Sequence, residues 1–148
     1  MKTMVVVENM QFCEQNYDVI KHINETVINS LEEISIAYID LSSKVIPTSC
    51  ATFNPSEISA FSNGLLIATS LKCLEMIRKS CGNSKYVLFL WELSFLTQPY
   101  LYLQLHEVLN STKIIVRSQD HADVLQNMFD VNAEVLPQFN LEEIWNLQ

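Results

Sequence analysis

The stretch Lys85-Tyr-Val-Leu-Phe-Leu-Trp91-Glu92-Leu-Ser-Phe-Leu96 limits what this chain can fold into more than any other. Its apolar run is short, rich in branched and aromatic residues, and bounded by Gly82-Asn83-Ser84 before it and Thr97-Gln98-Pro99 after it. A run of that length between turn signals reads as a strand covered on both faces. Strands buried on both faces belong to parallel sheets flanked by helices. Trp91 and Glu92 then stand at the strand's carboxyl end, the edge at which open α/β sheets bind ligands.

The remainder of the chain repeats the same alternation. Thr3 to Val7 is a β-branched first strand, and residues 8–16 carry turn chemistry. Ile20, Ile23, Val27 and Leu31 recur at helical spacing, which predicts a helix from Tyr17 to Leu31. A second strand is expected over 34–41, with Asp40 at its end, then a polar connection over 42–54. Asn54-Pro55-Ser56-Glu57 opens a short helix, because proline suits a first helical turn. Asn63-Gly64 marks a turn before a third strand, Leu65 to Ala68. Thr69 or Ser70 caps a helix, Leu71 to Ser80, which faces Leu71, Leu74 and Ile77 inward and ends at Gly82.

After the anchor strand, Pro99 starts a helix that runs to Leu109, with Leu101, Leu105 and Val108 or Leu109 on its buried side. Thr112 to Val116 is a fifth strand. Ser118 caps a helix from Gln119 to Phe129, with Asp120 in the first turn, where the helix dipole favours a carboxylate. Ala133 to Leu136 is a sixth strand, and residues 141–147 form a last amphipathic turn or two. Strand and helix alternate throughout, the pattern of βαβ units and a parallel sheet. The expected fold is an α/β, Rossmann-like three-layer domain with a mostly parallel sheet of about six strands, and 148 residues suit one such domain.

Composition narrows the function by exclusion. A net charge of −8 with scattered basic residues argues against direct nucleic-acid binding, which needs clustered Lys and Arg. No segment reaches the roughly 20 apolar residues of a membrane span, and the N-terminus lacks the features of a signal peptide. Cys13, Cys50, Cys73 and Cys81 show no metal-ligand spacing, so a cytoplasmic setting with free thiols and no metal is expected. Glu8-Asn9-Met10-Gln11 replaces any Gly-rich turn after the first strand, and there is no Walker-type Gly-Lys-Ser/Thr. No nucleotide cofactor is expected. Ala68-Thr69-Ser70 offers no phosphoacceptor, so a receiver domain is not expected either.

The candidate site residues sit at strand ends. Glu92 reads either as a base or hydroxyl-binding carboxylate beside the flat face of Trp91, or as an exposed charge closing the strand. Arg117 and Ser118 read either as an anion grip through guanidinium and helix N-terminus, or as a salt bridge from Arg117 to Glu92 or Asp120. His121, one turn into its helix, is a ligand contact or a local contact near the helix start. His22 and His106 fall mid-helix, where packing or surface roles are expected, and Cys73 and Cys81 read as small buried groups.

Three stretches together, Gly64-Leu-Leu-Ile-Ala-Thr-Ser, Tyr86-Val-Leu-Phe-Leu-Trp-Glu-Leu-Ser-Phe-Leu and Lys113-Ile-Ile-Val-Arg-Ser-Gln-Asp-His-Ala-Asp-Val-Leu, resemble the N-terminal domain of GT-B-type glycosyltransferases, especially the glycosyltransferase-like proteins of tailed phages. Glu134-Val-Leu-Pro-Gln-Phe-Asn140 is similar to the exit from that domain. The resemblance covers about residues 64–140. It implies an acceptor-side domain whose donor-binding half is not in this chain, with Trp91, Glu92, Arg117, Ser118 and His121 lining an interdomain cleft. The implied function is a binding or accessory module that works with a protein partner or as a homo-oligomer across that face, without autonomous catalysis. Two alternatives are a subunit of a split glycosyltransferase and an acidic inhibitor or decoy.

Overall fold

In the computed structural model, which describes residues 2–40, 45–81, 84–97 and 102–148, a single sheet of seven strands runs through the chain. The strands are β1 Thr3–Val7, β2 Ile34–Tyr38, β3 Ala51–Phe53, β4 Leu65–Ala68, β5 Lys85–Leu90, β6 Lys113–Val116 and β7 Ala133–Val135. Their order is β3-β2-β1-β4-β5-β6-β7, and every pairing is parallel. The helices are α1 Glu14–Asn29, α2 Leu71–Ser80, α3 Tyr102–Asn110, α4 Gln119–Phe129 and α5 Leu141–Asn146, with 3-10 turns at Pro55–Ala60 and Ser94–Thr97. This is the expected Rossmann-like three-layer arrangement.

Strand alternation sorts the core into two layers. Leu88 and Leu90 of β5 join Leu74, Ile77, Leu105, Leu109, Leu125 and Phe129, so α2, α3 and α4 cover one face. Val87, Phe89 and Trp91 join Val19, Ile20, Ile23, Leu141 and Ile144, so α1 and α5 cover the other. Phe89, fully buried, meets Phe139 edge-on at 5.2 Å between centroids. Residues 87–90 are buried whichever way they point, which is why the run is continuously apolar rather than alternating.

Four local expectations change. Helix α1 begins three residues earlier than the apolar periodicity suggests, because Cys13 serves as its N-cap and its Sγ accepts the Asn16 N–H at 3.4 Å. It also ends earlier: Ser30 is extended, and Leu31 is fully exposed instead of on the buried stripe. The polar connection after β2 contains β3, a three-residue edge strand whose exposed side chains leave no apolar signature. In α2 the buried side chains are Cys73, Leu74 and Ile77, with Leu71 only half-buried.

At the 63–64 turn it is Asn63 that takes the left-handed backbone, with φ of 57°. Gly64 is required for space instead: a Cβ there would lie 2.5 Å from the Lys2 carbonyl oxygen and 2.6 Å from Phe61 Cζ. The predicted helix stop at Gly82, the helix start at Pro99 and the buried position of Leu101 lie outside the described residues.

Candidate ligand-binding cleft

The strand order fixes where a cleft can open. The chain runs outward from β1 through β2 to β3, then crosses back to place β4 on the other side of β1. Helices α1 and α2 consequently leave from adjacent strand ends toward opposite faces, and their divergence leaves a crevice at the carboxyl edge. Ser70 caps α2 by accepting the Cys73 N–H at 3.2 Å. Thr69 fastens β4 to β1, its hydroxyl donating to the Val6 carbonyl at 3.0 Å. Gln15, in the first turn of α1, donates to the Thr69 carbonyl at 3.0 Å and bridges the crevice floor.

A cavity of about 700 Å³ opens at this point. Glu8, Thr69, Ser70, Leu90, Trp91 and Glu92 contribute from the ends of β1, β4 and β5. Leu71, Lys72, Glu75, Arg78 and Lys79, one stripe of α2, form a charged wall. Phe95, Leu105 and Val108 form an apolar one. A smaller cavity of about 260 Å³ shares Glu8, Gln15, Thr69 and Ser70 and continues to Asn9, Gln11, Phe12 and Cys13. Phe12, 77% exposed, stands at its rim with its ring 5.5 Å from that of Tyr17.

Most of the positive charge on the α2 wall is already matched. Lys72 donates to Asp40 at 2.6 Å, which holds its ammonium above the ordinary lysine range, and Lys79 donates to Glu75 at 2.6 Å. Arg78 makes no ion pair within 4.0 Å among the described residues, and neither does Glu8 or Glu92. Behind this wall Cys73 is fully buried, and burial pushes its thiol up to about 11, so it carries no nucleophile. Cys81 is spent as a donor to the Ile58 carbonyl at 3.0 Å.

The five residues singled out from sequence separate into two groups. Trp91 and Glu92 line the cavity, Trp91 buried and Glu92 exposed. Arg117 does not line it. Its guanidinium stacks 3.7 Å over the Trp91 ring, and its Nε donates to the Pro137 carbonyl at 3.2 Å, joining the ends of β5 and β6 to the segment after β7. Among the described residues no ion pair joins Arg117 to Glu92 or Asp120. Ser118 is the α4 N-cap, its hydroxyl accepting the His121 N–H at 3.2 Å. His121 Nδ1 is buried and takes no hydrogen bond among the described residues. His106 contacts Asn110 on the surface of α3, at 3.0 Å.

Glu8, Gln15, Thr69, Ser70 and Arg78 are among the cleft residues that sequence reasoning did not single out as a site. The signal was present in the positions of Glu8 and Thr69-Ser70 at two strand ends, but only the β1–β4 adjacency makes them neighbours. Among the described residues no cluster of His, Cys, Asp and Glu is placed to hold a metal ion, and no helix is long and apolar enough to cross a membrane. No protein-family model and no curated protein matches the chain.

Proposed function

We propose that this domain binds a polyhydroxylated ligand in the cleft at the β1–β4 switch point, as an accessory module of the kind formed by the acceptor side of a GT-B-type glycosyltransferase. The observation that carries this reading is the 700 Å³ cavity at the carboxyl edge of β1, β4 and β5 with Trp91 and Glu92 in its wall. Such a site combines apolar surface with a few polar groups that fix orientation. Glu8 and Glu92 supply acceptors, Arg78 and Gln15 donors, and Ser94 both. Hydroxyl groups, which donate and accept, use such a mixture fully. A polyphosphate does not: Lys72 and Lys79 are matched by Asp40 and Glu75, and Glu8 and Glu92 share the lining with Arg78. That balance favours an acceptor or glycan over a nucleotide-sugar and speaks for an accessory role rather than autonomous catalysis.

A protein partner or another copy of the chain covers the open side of this cleft. The exposed Phe12–Tyr17 pair at the rim supports this, being an apolar surface that an apposed domain would cover. Four free cysteines suit a cytoplasmic setting. Calorimetry against a panel of oligosaccharides and nucleotide-sugars, together with mass photometry, tests the reading. Saccharide binding that Glu92→Gln weakens about tenfold or more, with self-association or capture of a defined subunit, is the expected result. Turnover of a nucleotide-sugar by the isolated monomer would overturn it, as would silence toward every saccharide.

A further inference from the structure

The opposite face of the sheet carries a titratable contact that the cleft does not use. His22, in the middle of α1, accepts the backbone N–H of Leu141 through Nε2 at 3.0 Å, across 119 residues of sequence. Leu141 is the first residue of α5, and its amide is one of the donors that a helix start leaves without an internal partner. Asn140 caps the Glu143 amide in the ordinary way, so the His22 ring completes the cap from another helix. The ring lies in a T-shaped arrangement with Phe139, 5.9 Å between centroids. Thr26 lies 3.2 Å from the same nitrogen, but its hydroxyl proton goes to the His22 carbonyl at 2.8 Å. An Nε2 that accepts must be unprotonated, which places the ring hydrogen of the neutral form on Nδ1.

We propose that His22 is a proton-operated latch on the C-terminal helix: the neutral ring holds α5 against α1, and protonation at Nε2 releases it. A protonated Nε2 is a donor facing the Leu141 N–H donor, so the bond cannot survive. The new charge would also sit at the N-terminal, positive end of the helix dipole. Helix α5 has six residues, too few to persist without its packing. Its other attachments are the buried side chains of Leu141 and Ile144, the Trp145 indole N–H donating to Thr3 Oγ1 at 3.0 Å, and the Lys113 ammonium donating to the Leu147 carbonyl.

The charged groups facing the ring are Glu25 of α1 and Glu142 and Glu143 of α5. All three favour the imidazolium, yet half-burial outweighs them and holds His22 below the ordinary histidine value. The sign follows. With a lowered value in the docked form, the opened form binds the proton more readily. Docking of α5 is therefore at full strength above about pH 6.5 and weakens as pH falls through that value toward the lowered one.

The test is amide exchange and histidine NMR on the full chain between pH 8 and pH 5. Protection factors at Ile144 and Trp145 are expected to fall about three- to tenfold over that range, while those of Ala122 and Leu125 in α4 hold. The neutral His22 ring is expected as the Nδ1–H tautomer. His22→Gln places an uncharged acceptor near the position of Nε2 and should flatten the pH profile. An Nε2–H tautomer, equal loss of protection in α4 and α5, or a pH profile that persists in His22→Gln would each overturn the latch. Should His22→Gln not fold, the tautomer and exchange data on the unaltered protein decide the matter.

Discussion

The carboxyl ends of β5 and β6 have similar makings and opposite fates. Each follows a buried apolar strand with a large or charged side chain and then polar groups: Trp91-Glu92 after β5, Arg117-Ser118 and His121 after β6. At β5 these groups open onto the cavity, and Glu92 is left without an ion pair among the described residues. At β6 Arg117 and Ser118 are consumed locally, and His121 Nδ1 is buried. Arg117 lies flat on Trp91 and holds the Pro137 carbonyl, and Ser118 caps α4. The difference is distance from the switch point. Strand β5 adjoins β4, whose helix diverges from α1, whereas β6 is followed by β7 and the 136–140 segment that closes over its end. A polar residue at a strand's end becomes available to a ligand only where the neighbouring connections part.

The comparison can be strained from both sides. The largest effect belongs to the strand itself: Phe89→Ala should cost about 3–5 kcal/mol in chemical denaturation, since the ring is fully buried against Phe139. Val135→Ala on the exposed end of edge strand β7 should stay within about 0.5 kcal/mol. Equal losses at the two positions would contradict the central place given to β5. Next comes Gly64→Ala, expected to cost about 1–3 kcal/mol because the added carbon meets the Lys2 carbonyl and the Phe61 ring. A neutral result would mean that the β4 entrance yields more readily than its contacts imply.

The sharpest contrast is smaller in energy. Ser118→Ala should lower stability by about 1 kcal/mol through the lost cap, and leave ligand binding unchanged. Glu92→Gln should do the reverse: stability within about 0.5 kcal/mol, and binding weakened by about tenfold or more for a lost charged hydrogen bond. If Ser118→Ala abolished binding and Glu92→Gln did not, the site would belong to the end of β6.

The fold was legible because parallel strands buried on both faces announce themselves as short apolar runs. Residues 65–68, 86–90 and 114–116 all did so. What sequence left out had weak local chemistry. Cysteine is an unusual N-cap, so the first turn of α1 was hidden in a polar stretch, and β3 has too few residues and too little burial to show a period. The site was legible only in part, for a different reason. Trp91-Glu92 could be located from the end of one strand, but the wall formed by Glu8, Thr69, Ser70 and α2 depends on β4 crossing to the far side of β1, a nonlocal fact. Arg117 looked available because its partners, Pro137 and Trp91, are distant in sequence, and His121 because the burial of its Nδ1 depends on nonlocal packing.

The most direct test of the cleft is backbone and indole chemical-shift mapping with a saccharide titrated onto the isotopically labelled chain. The account predicts shifts concentrated at Glu8, Thr69, Ser70 and Glu92 and at the Trp91 indole, with the amides of Gln119 to His121 following only weakly. Shifts centred on Arg117 to His121, with Glu8, Thr69 and Ser70 unmoved, would contradict it.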